Sequence, residues 1–473
     1  MLVYRRCLRL VVFACLALSG ACTNHSTAGK TSPLGDAQGF PGMNPGEKPI
    51  TRFARAGTLD LDFNHTGVAV LEDAPVAGIS GALAIQSDGK TILAGQVVSE
   101  EGSKIILARF NLDGSLDHSF GDRGTVTTAV QNRAYSSVGA IAIQKDGKII
   151  AAGWSSRGSS STRTPHLIRY QSNGILDDSF GVGGMAITPI VKDGYQGDSF
   201  YRSMKLMEDG RIVATGTLLK EGADSDFFVA RHLSSGALDS SFGTGGVAVA
   251  AVGTSYDAAA SIDIQSDGKL VVAGNYCPTA TYSETRSPAL VRFNQNGTLD
   301  ASFADNGIVR SLLGMSFSQF YSVAIQPDGK VVAAGFAISS SNSRDMLIVR
   351  YQSNGTLDSS FGRGGLVTTH ANGLSRANSI AVQQDGKILA AGYSHVDPAA
   401  QTSDTYLTVV RYLPNGGVDA DFGSSGVALS YVGVAGTSTM LVGLDIQPDK
   451  KIVTSGYTLV DSTPFFSLTR FNP

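Results

Sequence analysis

The chain has 473 residues, of which 37 are Lys or Arg and 40 are Asp or Glu, so its formal net charge is −3. This balance gives no global positive field for nucleic acid or an anionic membrane surface, and neither is expected as a direct partner of the folded domain. Only 16% of the residues are charged while 56 are Gly, a combination that favours many short strands and tight turns over long helices.

The N-terminus has the pattern of an export signal. A basic segment at residues 1–9 is followed by an apolar run at 10–18 that is too short to span a bilayer. The sequence from Leu18 to Cys22 resembles a bacterial lipobox, although Leu18 lies one place further from the cysteine than is usual in that motif. We therefore predict a lipoprotein signal peptide at 1–21 and lipid attachment at Cys22, with ordinary signal cleavage as the alternative.

Residues 22–50 are polar, rich in Gly and Pro and without an apolar period, which is typical of a flexible tether. Thr23 follows the lipid cysteine, and by resemblance to known sorting signals this favours the bacterial outer membrane, in a periplasmic or a surface-facing orientation. Cys277 is the one cysteine that follows Cys22, so no disulfide is expected. The repeat domain is predicted at 51–473.

Three sequence anchors recur through residues 51–473 with a period of about 60 residues. The first is an Asp that follows Leu or Val, at Asp60, Asp117, Asp177, Asp239, Asp300, Asp358 and Asp419. The second is an Asp-Gly pair that becomes Asp449-Lys450 in the last copy, and the third is an Arg followed by an aromatic residue or His. Three anchors that keep one spacing indicate seven copies of one structural unit.

Each copy contains four short segments that are long enough for strands and too short for helices. The connection at 265–269 places Asp-Gly between two apolar runs, a strong signal for an antiparallel hairpin. Four antiparallel strands repeated seven times predict an all-β, seven-bladed β-propeller. A stacked solenoid is the alternative, but the chain ends favour a ring, because a lone strand at 67–71 can complete the last blade beside 466–471.

The repeated unit resembles the delta-60 repeat family of bacterial exported proteins. The pattern is Asn-Gly-x-Leu-Asp-x-Ser-Phe-Gly-x-x-Gly, followed by Ile-Gln-x-Asp-Gly-Lys and then Arg-Tyr. It is more distantly similar to NHL-type propellers, a resemblance that implies that the Ile-Gln strand is innermost. The pattern covers roughly residues 51–473 and implies no particular activity. Copy 1 departs from it at Asn64, where Gly would follow Phe, and copy 7 departs at Lys450.

Alternate connections of an antiparallel meander emerge on opposite faces of a propeller. The Asp-Gly turns and the Phe-Gly connections share one face, here called the uniform face because they are nearly identical in all copies. The opposite, variable face collects loops that differ in length and chemistry, where recognition can be placed on a rigid frame. Aromatic residues expected there are Trp154, Tyr276, Tyr282 and Tyr393; they are candidate ligand contacts, unless they cover the blade edges.

The recurrent residues have structural interpretations. Each repeated Asp can accept hydrogen bonds from its own turn or pair with the Arg of the Arg-aromatic strand, and the repeated Phe is expected to be buried between blades. The seven His have no metal-ligand spacing, and neither a nucleophile elbow nor a phosphate loop is present. No catalytic residue, metal or cofactor is predicted.

One position of the expected innermost strand is irregular, since it is Ala in four copies but Lys205, Asp263 and Asp445 in the others. Because Lys205 and Asp263 fall in adjacent blades, we expect them to form an ion pair near the axis. Asp445 is flanked by copies with Ala, so it requires water, a backbone donor or a ligand.

The function that the sequence favours is an exported, lipid-anchored binding or scaffolding module for protein or glycan at the cell envelope. The alternative is a propeller enzyme, a hydrolase or lyase, with a site at the mouth of the central channel. Carboxylates and histidines grouped at that mouth would favour the enzyme, and an aromatic rim would favour binding.

Overall fold

A computed structural model describes residues 55–71, 81–99, 102–158, 162–192, 194–220, 224–278, 286–311, 313–315, 317–339, 343–371, 373–395, 405–431, 439–460 and 463–473. The predicted signal peptide, Cys22 and the tether lie outside the described residues. The described part of the chain contains 28 strands, numbered β1 to β28 in chain order, in seven four-stranded antiparallel sheets. No helix long and apolar enough to cross a membrane occurs among these residues.

Each sheet is one blade. The innermost strands of blades 1 to 7 are β2 (Ala82–Ile85), β6 (Tyr135–Ile143), β10 (Tyr195–Leu206), β14 (Ala258–Ile264), β18 (Phe317–Ile325), β22 (Leu374–Val382) and β26 (Thr439–Ile446). The second strands are β3 (Thr91–Ser99), β7 (Ile149–Ser156), β11 (Ile212–Lys220), β15 (Leu270–Tyr276), β19 (Val331–Ile338), β23 (Ile388–His395) and β27 (Ile452–Val460). The third strands are β4 (Gly102–Phe110), β8 (Thr164–Tyr170), β12 (Ser225–His232), β16 (Ser287–Phe293), β20 (Arg344–Tyr351), β24 (Thr405–Tyr412) and β28 (Thr463–Phe471). The outermost strands are β5 (Thr125–Thr128), β9 (Met185–Ile187), β13 (Val247–Ala250), β17 (Ile308–Arg310), β21 (Leu366–Thr369), β25 (Val427–Ser430) and, in blade 7, β1 (Val68–Val70).

The ring is closed by the first strand of the chain. Strand β1 pairs antiparallel with β28, with Val68 opposite Thr469 and Val70 opposite Ser467. Strand β2 of the first blade packs against β26 of the last. These contacts confirm the predicted seven-bladed propeller and its closure, and they exclude the stacked solenoid, whose two ends would lie apart.

The innermost strands surround the axis of the ring. Each of them packs against the innermost strand of the next blade, so their exposed side chains border a central channel. The Ile-Gln strand is therefore innermost, as predicted. Between blades the core is apolar, and the repeated Phe is fully buried in every copy, at Phe63, Phe120, Phe180, Phe242, Phe303, Phe361 and Phe422.

A network of charged residues beneath the uniform face recurs in each blade. In blade 1, Nε of Arg109 donates to Oδ2 of Asp117 at 2.7 Å, and Nη1 donates to the carbonyl oxygen of Ser172 in the next blade at 2.7 Å. The Arg109 guanidinium carbon lies 4.7 Å from the centre of the Phe120 ring. Equivalent pairs in the other blades are Arg169–Asp177, Arg231–Asp239, Arg292–Asp300, Arg350–Asp358, Arg411–Asp419 and Arg470–Asp60. The predicted Asp–Arg pairing is confirmed.

The same carboxylates also bond to their own turns. The Ser119 N–H donates to Oδ1 of Asp117 at 3.0 Å, and Nζ of Lys90 lies 2.7 Å from Oδ2. Burial alone would raise the pKa of Asp117, but the hydrogen bonds from Lys90 and Ser119 and the charge of Arg109 hold it well below its usual value. The carboxylate therefore stays ionised while joining two strands and, through the arginine, two blades.

The Asp-Gly turns have the expected hairpin geometry. The Gly89 N–H donates to the carbonyl oxygen of Gln86 at 2.8 Å, and Gly89 has a φ of 83° that side chains rarely adopt. In the last copy Lys450 occupies this position with a φ of 70°. The turn is kept there in spite of the unfavourable residue.

Candidate functional site

The variable face is formed by the connections between second and third strands and between outermost and innermost strands of neighbouring blades. Trp154 lies in β7, is half-buried, and stands opposite Ser137 and Pro165. Tyr276 and Tyr393 lie in β15 and β23 with exposures of 4% and 3%.

The expectation that Tyr276 and Tyr393 lie on exposed loops is therefore wrong. The physical reason is that the second strands continue further toward the variable face than the apolar pattern indicated, so these rings pack within the blades. Tyr282 lies outside the described residues. Of the two roles considered for these aromatic residues, Tyr276 and Tyr393 therefore fit covering of the blade edges better than ligand contact.

An alternating stack of aromatic rings and guanidinium groups joins blades 5 and 6 on the variable face. Phe336 is stacked with Tyr321, with ring centres 5.9 Å apart and planes at 21°. The guanidinium carbon of Arg376 lies 5.0 Å from the centre of the Tyr321 ring and 4.5 Å from that of Tyr393. The guanidinium carbon of Arg344 lies 5.6 Å from the Phe336 ring. This stack brings two positive charges to one side of the ring and holds them against aromatic side chains.

The channel wall carries an irregularity that recurs in the innermost strands. In blades 2 to 7 the pairing of the innermost strand with the second strand shifts register at an equivalent position, which leaves one residue of each innermost strand unpaired there; blade 3 has a second shift between Tyr195 and Ser199. The unpaired residues are Gly139, Arg202, Ala260, Tyr321, Asn378 and Val442. Polar and aromatic side chains thus occur at this level of the channel in blades 3, 5 and 6.

Deeper in the channel the predicted ion pair is confirmed. Nζ of Lys205 on β10 lies 3.2 Å from Oδ1 of Asp263 on β14. The other oxygen of Asp263 accepts a hydrogen bond at 2.8 Å from the Ile325 N–H on the next innermost strand. Lys205 and Asp263 therefore connect three neighbouring blades along the channel wall.

Asp445 accepts a hydrogen bond from the backbone, which was one of the three alternative partners expected from the sequence. The Ile446 N–H donates to Oδ1 of Asp445 at 2.8 Å. Burial raises the pKa of Asp445, and this hydrogen bond and the charge of Lys205 oppose that rise. The same lysine thus acts on carboxylates of blades 4 and 7, so the cation in the deeper part of the channel already has acidic neighbours.

A strongly perturbed carboxyl lies on the variable face between blades 3 and 4. Asp257 is fully buried, and its Oδ2 accepts hydrogen bonds from the N–H groups of Val252 and Gly253, both at 2.7 Å. Burial and, to a smaller extent, the nearby charge of Asp226 raise the pKa of Asp257 to about 7 against the effect of these bonds. Because the side chain is enclosed, it cannot contact a ligand and serves the loop that precedes β14.

Two histidines are buried in the blades as neutral rings. Burial and the charge of Arg133 lower the pKa of His166 to about 3. His232 donates from Nδ1 to the Gly236 carbonyl and accepts at Nε2 from the Tyr201 hydroxyl, each at 2.8 Å. Within the described ranges, no three His, Cys, Asp or Glu side chains form a group that could hold a metal ion.

Sequence reasoning missed Arg202, Tyr321 and Arg376. A signal for the first two was present, because the position three residues before that of Lys205 in the repeat is Gly, Ala or Val in four copies but Arg, Tyr or Asn in the others. What the sequence did not show is that this position is unpaired and borders the channel. Arg376 had no comparable signal, since its role depends on rings from two blades.

The family model described as "Domain of unknown function (DUF5122) beta-propeller" matches residues 86–120, 144–180, 208–242, 265–303, 326–361 and 383–422. No curated protein matches the sequence. The narrower delta-60 resemblance remains a prediction.

Three solved structures illustrate the structural similarity. The polysaccharide lyase Uly1 is 12% identical, with 84% of this chain and 90% of that chain covered and a TM-score of 0.50. Sqt1 from Chaetomium thermophilum is 11% identical, with 86% and 98% covered and a TM-score of 0.42. A Trypanosoma rangeli sialidase in complex with sialic acid is 12% identical, with 85% and 59% covered and a TM-score of 0.39. At these identities the similarity is one of fold alone, and the chain, with its six matched segments and seven closed blades, fits a propeller repeat family.

Proposed function

We propose that this protein is an exported, lipid-anchored binding or scaffolding module that takes a protein or glycan partner at the cell envelope on its variable face. The observation that carries the proposal is the stack of Tyr321, Phe336, Arg344 and Arg376 on that face. Aromatic rings and arginine are the side chains most enriched at the energetic centres of recognition surfaces. The uniform-face arginines, by contrast, are each paired with a buried Asp, as Arg109 is with Asp117.

The point at which the chain enters the propeller supports an orientation. The Gly57 N–H donates to the carbonyl oxygen of Asn472, and the carbonyl oxygen of Ala56 accepts from the Gly423 N–H, which lies in a Phe-Gly connection. The chain therefore reaches the domain on the uniform face. A tether of residues 22–50 with an r.m.s. span of about 30 Å would let the variable face turn away from the outer membrane.

The alternative is a hydrolase or lyase with its site at the mouth of the channel. Asp445 is the observation that favours the enzyme, since a carboxyl in the channel with a raised pKa can serve as a proton donor. Asp257, whose pKa is near neutral, is too deeply buried to touch a substrate. Release of new reducing ends from envelope polysaccharide by the wild type, and its loss in Asp445→Asn, would support the enzyme over the binding module.

Binding is tested by recovery of envelope components on the purified protein. Shortening the loops at 157–163 and 278–286, which lie between the strand ends at Ser156 and Thr164 and at Tyr276 and Ser287, should reduce recovery of the specific partner. Arg363→Gln on the uniform face is the matched control and should leave recovery unchanged. Equal recoveries from the wild type and both loop variants would contradict a role for the variable face.

The predicted anchor has a separate test. Replacing Cys22 by Ser should move the protein from the outer-membrane fraction to the soluble periplasmic fraction, because one lipid-modified cysteine is the proposed attachment. An unchanged membrane fraction would contradict the lipid anchor without affecting the binding proposal.

A further inference from the structure

We propose that the variable-face half of the central channel binds an acidic saccharide, with Arg202 receiving the carboxylate and Tyr321 and Asn378 contacting the sugar ring. This inference rests on the proposed function and names its ligand class. It is carried by three side chains at equivalent unpaired positions of blades 3, 5 and 6.

Arg202 is a cation without a counter-ion in the described part of the chain. It is exposed on β10 at the point where the pairing shifts from Tyr201 to Ser203, and no carboxylate of the described residues lies within ion-pair distance of it. Its guanidinium carbon lies 5.2 Å from the ring of Phe200, which fixes the side chain from one side. A guanidinium held by an aromatic ring retains the planar fork of donors that matches a carboxylate.

The charges along the channel favour an anion at this level and not deeper. Three residues further along β10, about 10 Å at the rise of a strand, Lys205 is already paired with Asp263. On the other side of the ring Arg344 and Arg376 add positive charge. Burial, followed by the charges of these two arginines, lowers the pKa of His395. Arg202 and Arg376 thus supply positive charge at this level of the channel, although the whole chain carries a net charge of −3.

The remaining groups suit a sugar better than a simple inorganic anion. The Tyr321 ring packs on Phe336 and on the guanidinium of Arg376, so it presents its edge to the channel, where the C–H groups of a sugar can contact it. Its hydroxyl donates to Oε1 of Gln319 at 2.7 Å, which fixes the ring. Asn378 donates from its amide nitrogen to the Leu441 carbonyl, which directs its amide oxygen toward a different donor such as a sugar hydroxyl. Because these groups lie on the channel wall, a narrow chain of uronic acid units fits them better than a broad protein surface.

The test is calorimetric titration of the full purified chain with tetrasaccharides of galacturonic and of glucuronic acid. Their methyl-esterified forms serve as neutral ligands with the same sugar rings. We expect at least one charged oligomer to bind, its ester to bind about tenfold more weakly or worse, and the affinity to fall as salt is raised. Arg202→Gln should weaken the charged oligomer by about tenfold while leaving the residual affinity for the ester unchanged.

Arg363→Gln, an exposed arginine of the uniform face, is the control and should bind like the wild type. Unchanged melting temperatures will establish that both variants are folded, and Tyr321→Leu should weaken the charged and esterified oligomers equally. The inference is overturned if no uronate oligomer binds, if the esters bind as tightly as the acids, or if Arg202→Gln binds like the wild type.

The two proposals can fail separately. Loss of envelope binding in the loop variants without uronate binding would retain the variable-face module and remove the acidic saccharide. Uronate binding that depends on Arg202, together with unchanged recoveries in the loop variants, would retain the channel site and remove the loops as the recognition surface.

Discussion

The uniform and variable faces use the same residue types for opposite purposes. On the uniform face an arginine such as Arg292 is buried, bonded to Asp300 at 2.7 Å and to a carbonyl of the next blade. On the variable face Arg344 is half-buried and contacts the ring of Phe336. Buried Asp257 shows a second difference, because its hydrogen bonds come from two backbone N–H groups and not from an arginine. The comparison indicates that stability is concentrated on one face, which leaves the other free to vary.

The largest expected effect is the loss of a uniform-face arginine. Arg292→Met should lower the free energy of unfolding by about 3 kcal/mol, because it leaves Asp300 buried with Lys269 as its remaining cation. Arg344→Met on the variable face should cost about 0.5–1 kcal/mol, the value of a partly exposed cation–π contact. Urea unfolding of both variants measures the difference, and equal losses would break the contrast between the faces.

The next largest expected effect is a pH-dependent gain in the free energy of unfolding when Asp257 is replaced. Its folded pKa of about 7 lies above the unfolded value near 4, so the folded state binds the proton more tightly and stability falls as pH rises between these values. Asp257→Asn keeps an acceptor for the Val252 N–H and stays neutral. It should therefore gain about 2 kcal/mol at about pH 8 and nothing at about pH 4.

Chemical unfolding at the two pH values checks this prediction. Asp122→Asn, an exposed change on the uniform face, is its control and should show no pH-dependent gain. A gain of equal size at both pH values for Asp257→Asn would show that the benefit has another origin than the charge.

The uniform face should show the opposite pH dependence. The hydrogen bond from Ser241 and, against the opposing effect of burial, the charge of Arg231 lower the pKa of Asp239 to about 2. Its stabilisation is complete above the unfolded pKa near 4 and is lost as pH falls through about 2, amounting to about 2 kcal/mol. Acid unfolding should be less steep in Asp239→Asn than in the wild type. An identical acid profile would contradict the stabilising role of the carboxylate.

The smallest expected effect is at the Asp-Lys turn that replaces Asp-Gly in the last copy. Lys450 has a φ of 70°, where the other copies have Gly, so Lys450→Gly should stabilise the protein by about 1 kcal/mol. Lys145→Gly, in a turn that already has Gly147 at the left-handed position, should not stabilise it. Thermal unfolding of the two variants provides the measurement. A loss of stability in Lys450→Gly would contradict the inference that the Lys450 backbone is strained.

Much of the fold could be predicted because its specification is local and repeated. Asp-Gly turns identify hairpins, and the regular recurrence of Asp, Phe and Arg identifies their shared partners without any knowledge of the third dimension. The Lys205–Asp263 pair was predictable for the same reason, since equivalent positions in adjacent blades must be neighbours. The predicted exposure of Tyr276 and Tyr393 was wrong because strand ends at the variable face are not marked by repeated turn residues.

The sequence by itself determined the number of blades and the chemistry of the uniform face, because both recur at a constant separation along the chain. It also indicated the closing strand, because the lone strand at 67–71 completes the last blade. Tertiary structure alone decided which side chains share the channel. Arg202, Tyr321 and Asn378 come from three blades and are separated by more than 50 residues from one another. They reach one level of the wall only because the ring closes and because each strand has an unpaired residue there. Ring closure and local register shifts are properties of the assembled sheets, and these decide what the channel can bind.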